Sequence, residues 1–240
     1  MFDVHAIITR FAVPARFKPR GEKSESDSPT HHLDKEWLWQ RVMLLDKWCA
    51  PAVNRQTNKN FIWLLGIDER VPRHIQTAIL MTAGPNAALA IVGEGERFQA
   101  AFTRVLEFRG DKILSSRLDS DDGISKHFVN TVQNNIEVEK GLNFTHGLRY
   151  DPRSRVAQHR YDQTNPYMSY LSHDGLHAYD LGGHGKWHER GVEVVDYETK
   201  TPMWLQIIHG DNALNQMRGG LPSTDRTDTI LDINFGVPGV

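Results

Sequence analysis

The stretch KILSSRLDSDDGISKHFVNTV, residues 112–132, decides how this chain is read. A run of apolar and small residues stops at Asp119, and Asp121 and Asp122 follow at once. Beyond them Ile124, Phe128, Val132 and Ile136 fall at helical spacing, which predicts a helix over 123–136. A strand that passes through an acidic turn into a helix is one unit of an alternating α/β domain. Three carboxylates within four residues repel one another, so they need a counter-charge or full solvation.

Upstream the same alternation recurs. VHAIIT (4–9) is short and continuously apolar, the pattern of a strand buried on both faces. Residues 14–34, which hold KPRGEKSESDSPTHH, read as a loop. DKEWLWQRVMLLDKWC reads as a helix capped by Asp34, with Leu38, Val42, Leu45 and Cys49 on one stripe and Pro51 ending it. NFIWLLGID (60–68) is a second strand, and PRHIQTAIL a short helix opened by Pro72. AALAIVG (87–93) and DKILSSRLD are a third and a fourth strand. Alternation of this kind implies parallel strands with right-handed crossovers. Ligands of such sheets bind at the carboxyl ends of the strands. That rim collects Thr9, Arg10, Asp68 and the Asp119–Asp122 cluster.

After residue 140 the periodicity changes to that of strands. GLNFTHGLRY and VAQHRYDQ flank DPRSR as a hairpin, and PYMSYLS, VEVVDYE and MWLQIIHG are further strands. The expected class is therefore α/β, with a mostly parallel central sheet flanked by helices and a mixed or antiparallel C-terminal region. One domain over 1–218 is expected, followed by a Gly-, Pro-, Thr- and Asp-rich tail (219–240) that reads as a loop or frayed end.

Composition narrows the function. Of 240 residues, 39% are hydrophobic and 24% charged, and the net charge is −2, so no basic excess points to nucleic-acid binding. A single cysteine, Cys49, leaves neither an internal disulfide nor a Cys-rich zinc site. No apolar run is long enough to span a bilayer, and MFDVHAIITRF lacks a signal-peptide pattern. The expected setting is cytoplasmic, with any membrane association peripheral.

A divalent cation would answer the acid cluster economically. Mg²⁺ takes one or two carboxylates and completes its shell with phosphate oxygens and water. Mn²⁺ shares that taste and tolerates a histidine. Arg117 would suit a phosphate or a carboxylate. The structural alternative is that the acids form a helix N-terminus, where negative charge complements the macrodipole. An EF-hand fits poorly, because residue 130 is Asn rather than Glu.

RLDSDD after a strand resembles the Asp-x-Asp motif of GT-A-fold glycosyltransferases. The likeness extends to IITRF, to WLWQRVMLLDKWCAPAVNRQTNKNFIWLLGID, to RLDSDDGISKHFV and to TPMWLQIIHGDNALN. Through these ordered blocks, from residue 4 to residue 218, the chain resembles the rhamnosyltransferase family of that fold. The resemblance implies a nucleotide-diphosphate-sugar donor, bound by residues 1–140, and a glycan or polysaccharide acceptor on the side of residues 141–218. It implies Mn²⁺ or Mg²⁺ on Asp121 and Asp122, with Asp119 on the metal or the donor, and His209 as a late ligand. For His209 the structural alternative is a strand-end turn with Gly210; Asp211 and Asn212 are weaker candidates. Arg10 and Asp68 match donor contacts of the fold, and Asp68 would suit a pyrimidine imide. Gln56 lies in a family block, or it bonds only to backbone.

The acceptor half carries LSHDGLHAYDLGGHGKWHER. His173/His177 and His184/His188 are each four apart, a metal-binding spacing on a helix. The glycines argue against a helix and for a loop beside the acceptor. Tyr167, Tyr170, Tyr179 and Trp187 would stack on a sugar or fill the core. An inverting transfer needs a general base, and Asp174, His184 and Glu189 are available, with His184 and Glu189 preferred. Two rival readings are a metal-dependent hydrolase or phosphoesterase built on His173, His184 and His209, and a non-catalytic carbohydrate- or nucleotide-binding module.

Overall fold

The computed structural model describes residues 1–14, 31–209, 221–222 and 227–237. Along the chain, β1 (Val4–Ala12) precedes α1 (Lys35–Leu44), which passes through a π-helical segment (Leu45–Cys49) into α2 (Ala50–Asn54). Then come β2 (Ile62–Asp68), α3 (Arg73–Ala83), β3 (Ala87–Val92), α4 (Phe98–Leu106), β4 (Ile113–Arg117), β5 (Gly123–Ile124) and α5 (Phe128–Asn135). The second half supplies β6 (Lys140–Phe144), β7 (His146–Asp151), β8 (Val156–Tyr161), β9 (Ser169–Leu171), β10 (Glu193–Tyr197) and β11 (Trp204–Ile207). β12 (Leu221–Pro222) and α6 (Thr227–Ile230) close the order.

The large sheet has the order β10-β6-β9-β4-β1-β2-β3. The pairs β1–β2, β2–β3, β1–β4 and β6–β10 are parallel, while β9 is antiparallel to both its neighbours. β9 is thus the one reversed strand in an otherwise parallel sheet. Helices cover both faces, as the apolar strands require. Ile7, Leu65 and Leu114 pack with Leu38 and Val42 of α1, Ile75 and Ile79 of α3, and Phe128 and Val132 of α5. On the other face Ala6, Ile8 and Leu64 meet Phe102 and Leu106 of α4, together with Tyr179. This is the α/β class expected, with a mostly parallel central sheet flanked by helices.

A second, mixed sheet has the order β12-β8-β7-β11-β5. The expected hairpin is there, with Asp151 opposite Val156. The run GLNFTHGLRY, however, serves two sheets. It breaks at Thr145, so that β6 stays in the large sheet and β7 enters the small one.

Three local expectations are corrected, and one helix is added. Pro51 does not end the first helix: the wider π-helical turn, with the Ala50 N–H bonded to the Leu45 carbonyl, lets the chain stay helical to Asn54. The helix after the acids begins only at Phe128, because Gly123 and Ile124 first pair with β11. The acids are therefore not its N-terminus. A helix not foreseen, α4, lies between β3 and β4. In the described part of the tail, Leu231, Phe235 and Val237 are buried against Trp48, Leu148 and Tyr150, so this part is packed and not frayed.

Candidate functional site

Residues 118–122 link β4 to β5, and so join the large sheet to the small one at the carboxyl end of β4. The three acids meet different surroundings. Asp119 is the most open, with a side chain 37% exposed and Oδ1 3.8 Å from Nη2 of Arg10. Asp121 is buried, and its Oδ2 accepts from Arg41 Nη1 at 2.9 Å and from His209 Nε2 at 2.8 Å. Burial alone would push its carboxyl up, but Arg41 and His209 outweigh that and hold it well below the usual range. Asp122 points inward. Its Oδ1 accepts the Ile207 N–H and its Oδ2 the Tyr167 hydroxyl, each at 2.8 Å. Burial, then the charges of Asp121 and Asp119, push its carboxyl up.

His209 follows β11, and the small sheet brings it back to the acids as the apolar run before it suggested. Gly210, Asp211 and Asn212 lie outside the described residues. Arg41 was not foreseen. It stands in the apolar stripe of α1, three residues after Leu38 and four before Leu45, both fully buried. A cation on a core-facing stripe needs an anionic partner, and that signal was legible. Nothing in the sequence pointed to the bond from Tyr167.

At the same rim, Arg10 and Arg117 share one aromatic ring. Their guanidinium carbons lie 5.2 and 4.3 Å from the centre of Tyr179. Arg117 Nη1 also donates to the Gly182 carbonyl at 2.8 Å. Asp68 ends β2 on the same rim, but its carboxylate accepts from Arg70 and from His32. Burial works against those bonds, yet they keep the carboxyl below its ordinary range. Gln56 is buried, its amide N–H groups donate to the Ala52 and Ser125 carbonyls, and its Oε1 accepts the Val129 N–H. It ties α2 to the start of α5 and bonds only to backbone.

The segment after β9 runs as a strap along β4. Ser172 exchanges backbone bonds with Ile113, the Ala178 N–H donates to Ser115 Oγ, and Gly182 receives Arg117. Because β9 is reversed, the strap starts at the amino-terminal edge of the sheet, and Asp174 sits there beside Asp111. It is on the opposite edge from the aspartates, so it does not join them. His184 lies at the carboxyl-terminal end of the strap. Burial lowers its pKa, Arg117 lowers it further, and Asp119 and Asp162 act in the other direction. Glu189 is exposed in a short turn further on.

The histidine-rich stretch forms no helix around a metal. His173 bonds to Glu139, His177 is buried against the Gln99 carbonyl of α4, and His184 and His188 occupy successive 3-10 turns. Glycines deny this stretch the helix that the four-residue spacing needs. The four aromatic candidates are all buried: Tyr167 stacks on Trp204, Tyr170 bonds to Glu139, Tyr179 carries the two arginines, and Trp187 fills a small core.

Residues 5–151, more than half of the chain, match the model of the family described as "Putative rhamnosyl transferase". The chain belongs to that family. The match covers Arg10, Arg41 and Asp119–Asp122, and it ends before the strap and His209. No protein among those curated for function matches the chain. Remote likenesses exist among solved structures. One is a nucleotide-diphospho-sugar transferase, itself a provisional assignment, from Desulfovibrio desulfuricans G20 (11% identity, 86% of this chain and 82% of that one, TM-score 0.41). A second is an inositol-1-phosphate CTP transferase from T. maritima (12%, 88% and 91%, TM-score 0.36). A third is HddC from Yersinia pseudotuberculosis, complexed with GMP-PN (10%, 87% and 90%, TM-score 0.32). No helix among the described residues is long and apolar enough to cross a membrane.

The donor set of this family member fits a hard or borderline cation. Asp121 Oδ2 and His209 Nε2 converge to 2.8 Å, a mixed oxygen–nitrogen pair, and Asp119, in the same loop, is partly open and faces Arg10. Among the described residues no three His, Cys, Asp or Glu side chains are grouped to hold a metal by themselves. A cation here would draw its remaining ligands from substrate oxygens and water, as Mg²⁺ and Mn²⁺ do at phosphate sites.

Proposed function

We propose that the protein is a glycosyltransferase. It moves a sugar, rhamnose on the strength of the family, from a nucleoside-diphosphate donor to a hydroxyl of a glycan, with Mn²⁺ or Mg²⁺. The observation that carries this reading is the meeting of Asp121, His209 and Arg41 at the carboxyl rim of a mostly parallel sheet.

Asp121 and His209 would hold the cation, with oxygens of the donor and water completing its shell. When bound, it would neutralise charge that grows on the departing diphosphate. The chain's own residues do the rest. Arg10 and Arg117, braced on Tyr179, supply positive charge along the rim for the phosphates. Tyr167 and the Ile207 N–H fix Asp122, and through it the loop that carries Asp119 and Asp121. For an inverting transfer, His184 is the base that takes the acceptor hydroxyl proton. Its depressed pKa keeps the imidazole neutral and ready to accept.

A thermal-shift screen of nucleotide sugars, each with and without Mn²⁺, tests the donor half, since a ligand of the folded state raises apparent stability. One donor class should shift the protein, and more so with Mn²⁺. Silence from every donor would sink the transferase reading. Asp121→Ala should abolish turnover, and full activity in that variant would remove the metal from the scheme.

A further inference from the structure

Arg41 meets Asp121 at the rim, but the proposed chemistry gives it no task. α1 sets it between buried Leu38 and Leu45, and its guanidinium reaches the rim. There Nη1 bonds to Asp121 Oδ2, Nη2 bonds to Ser120 Oγ, and the guanidinium carbon lies 5.8 Å from the Trp37 ring centre. His209 donates to the same Asp121 oxygen. One oxygen of the carboxylate that a cation would need is therefore already held by two donors.

The side chains of Arg41 and Asp121 are only 17% and 11% exposed, so water screens their charges weakly. A divalent ion approaching Asp121 meets a fixed positive charge at contact distance. Asp122 is a poor second anchor, since it is buried and turned inward onto Tyr167 and Ile207. Asp119 has Arg10 within 3.8 Å. Arginine charge thus already faces both carboxylates that look outward. A cation that arrives with a diphosphate is a different case. The phosphates bring negative charge of their own, and a guanidinium leaving Asp121 has a new anion to pair with.

We propose that Arg41 is a positioning residue that serves as an internal counter-ion for Asp121, keeping free divalent cations out of the site and admitting them together with a diphosphate. This rests on the donor-site reading above and adds an order of events to it.

Mn²⁺ uptake by the full chain, followed from the EPR signal of free Mn²⁺, tests the idea without reference to activity. The probes are Mn²⁺ alone, and Mn²⁺ with uridine or thymidine diphosphate. The wild type should bind Mn²⁺ at least about tenfold more tightly when a diphosphate is present. Arg41→Met and Arg41→Gln should bind Mn²⁺ alone at least about tenfold more tightly than the wild type, and should lose most of the benefit of the diphosphate. Arg41→Lys keeps the charge and should behave as the wild type. Two neutral variants are used so that one folding poorly does not silence the test. If a folded neutral variant binds Mn²⁺ no better than a wild type that does respond to diphosphate, the counter-ion role is wrong. An Arg41→Lys protein that binds as tightly as Arg41→Met overturns it too. If neither the wild type nor the variants take up Mn²⁺ with either diphosphate, the cation site itself fails, and the counter-ion role falls with it.

Discussion

The hydroxyl of Tyr167 donates to Oδ2 of Asp122 at 2.8 Å, across 45 residues of sequence. Both groups are buried, and the Tyr167 ring stacks on Trp204 with ring centres 5.2 Å apart. Tyr167→Phe would leave a buried carboxylate oxygen without its donor. An unmet group of this kind costs about 1–3 kcal/mol. Urea unfolding should show that loss, and donor turnover should fall with it, because the same bond fixes the loop bearing Asp119 and Asp121. Unchanged stability would mean that Asp122 is satisfied by another donor.

As the proposed base, His184 would set the pH dependence of turnover. Burial and then Arg117 depress its pKa below the ordinary 6.5, so the imidazole is neutral at pH 7. As pH falls through the depressed value the base takes up a proton and is lost. The acid limb of kcat/KM should therefore lie below pH 6.5. His184→Asn should lower kcat by about 10²–10⁴-fold and flatten that limb. A variant that keeps the limb would assign it to another group.

Gln56 separates a structural role from a donor contact. Gln56→Ala removes two donated bonds and the acceptor of the Val129 N–H, all in a buried position. A loss of about 1–3 kcal/mol is expected in thermal or urea unfolding. The KM for the donor should stay within about twofold, since removing a group that does not touch substrate removes no ground-state binding. A large rise in KM with stability intact would restore Gln56 to the donor site.

Gly147 is fixed by a close approach. A Cβ there would lie 2.0 Å from Cδ2 of Trp204, whose ring supports Tyr167 and whose Nε1 donates to the Phe144 carbonyl at 2.8 Å. Gly147→Ala should cost at least about 1–3 kcal/mol through overpacking. Tryptophan fluorescence should move with it, and activity should fall through Tyr167 and Asp122. A fully active, fully stable Ala variant would show that Trp204 can swing aside.

The parallel half of the fold was legible because its signals are local. Residues 4–9, 60–68 and 87–93 are continuous apolar runs, and Asp34 caps its helix through the Trp37 N–H as its residue type suggests. The rim follows from the topology, which is why the sequence alone gathers Arg10, Asp68 and the acid cluster. His209 beside Asp121 was inferable for the same reason. What escaped depends on contacts between distant segments. The reversal of β9 moved Asp174 to the far edge, and strand periodicity does not encode strand direction. Gln56 and the four buried aromatics look the same in sequence whether they face a ligand or the core. Arg41 was visible as a charge on an apolar stripe, but its partner lies 80 residues away.

The strap along β4 works as a measured tether. Its fastenings at Ser172, Ala178 and Gly182 meet Ile113, Ser115 and Arg117 in ascending order. Extra residues between the lower fastenings would bulge outward, with the upper one still in place. An extra residue between Gly182 and His184 would be transmitted directly to the imidazole. The reach of the His184 imidazole is therefore set by the last two peptide links, and length variation is tolerable only below them.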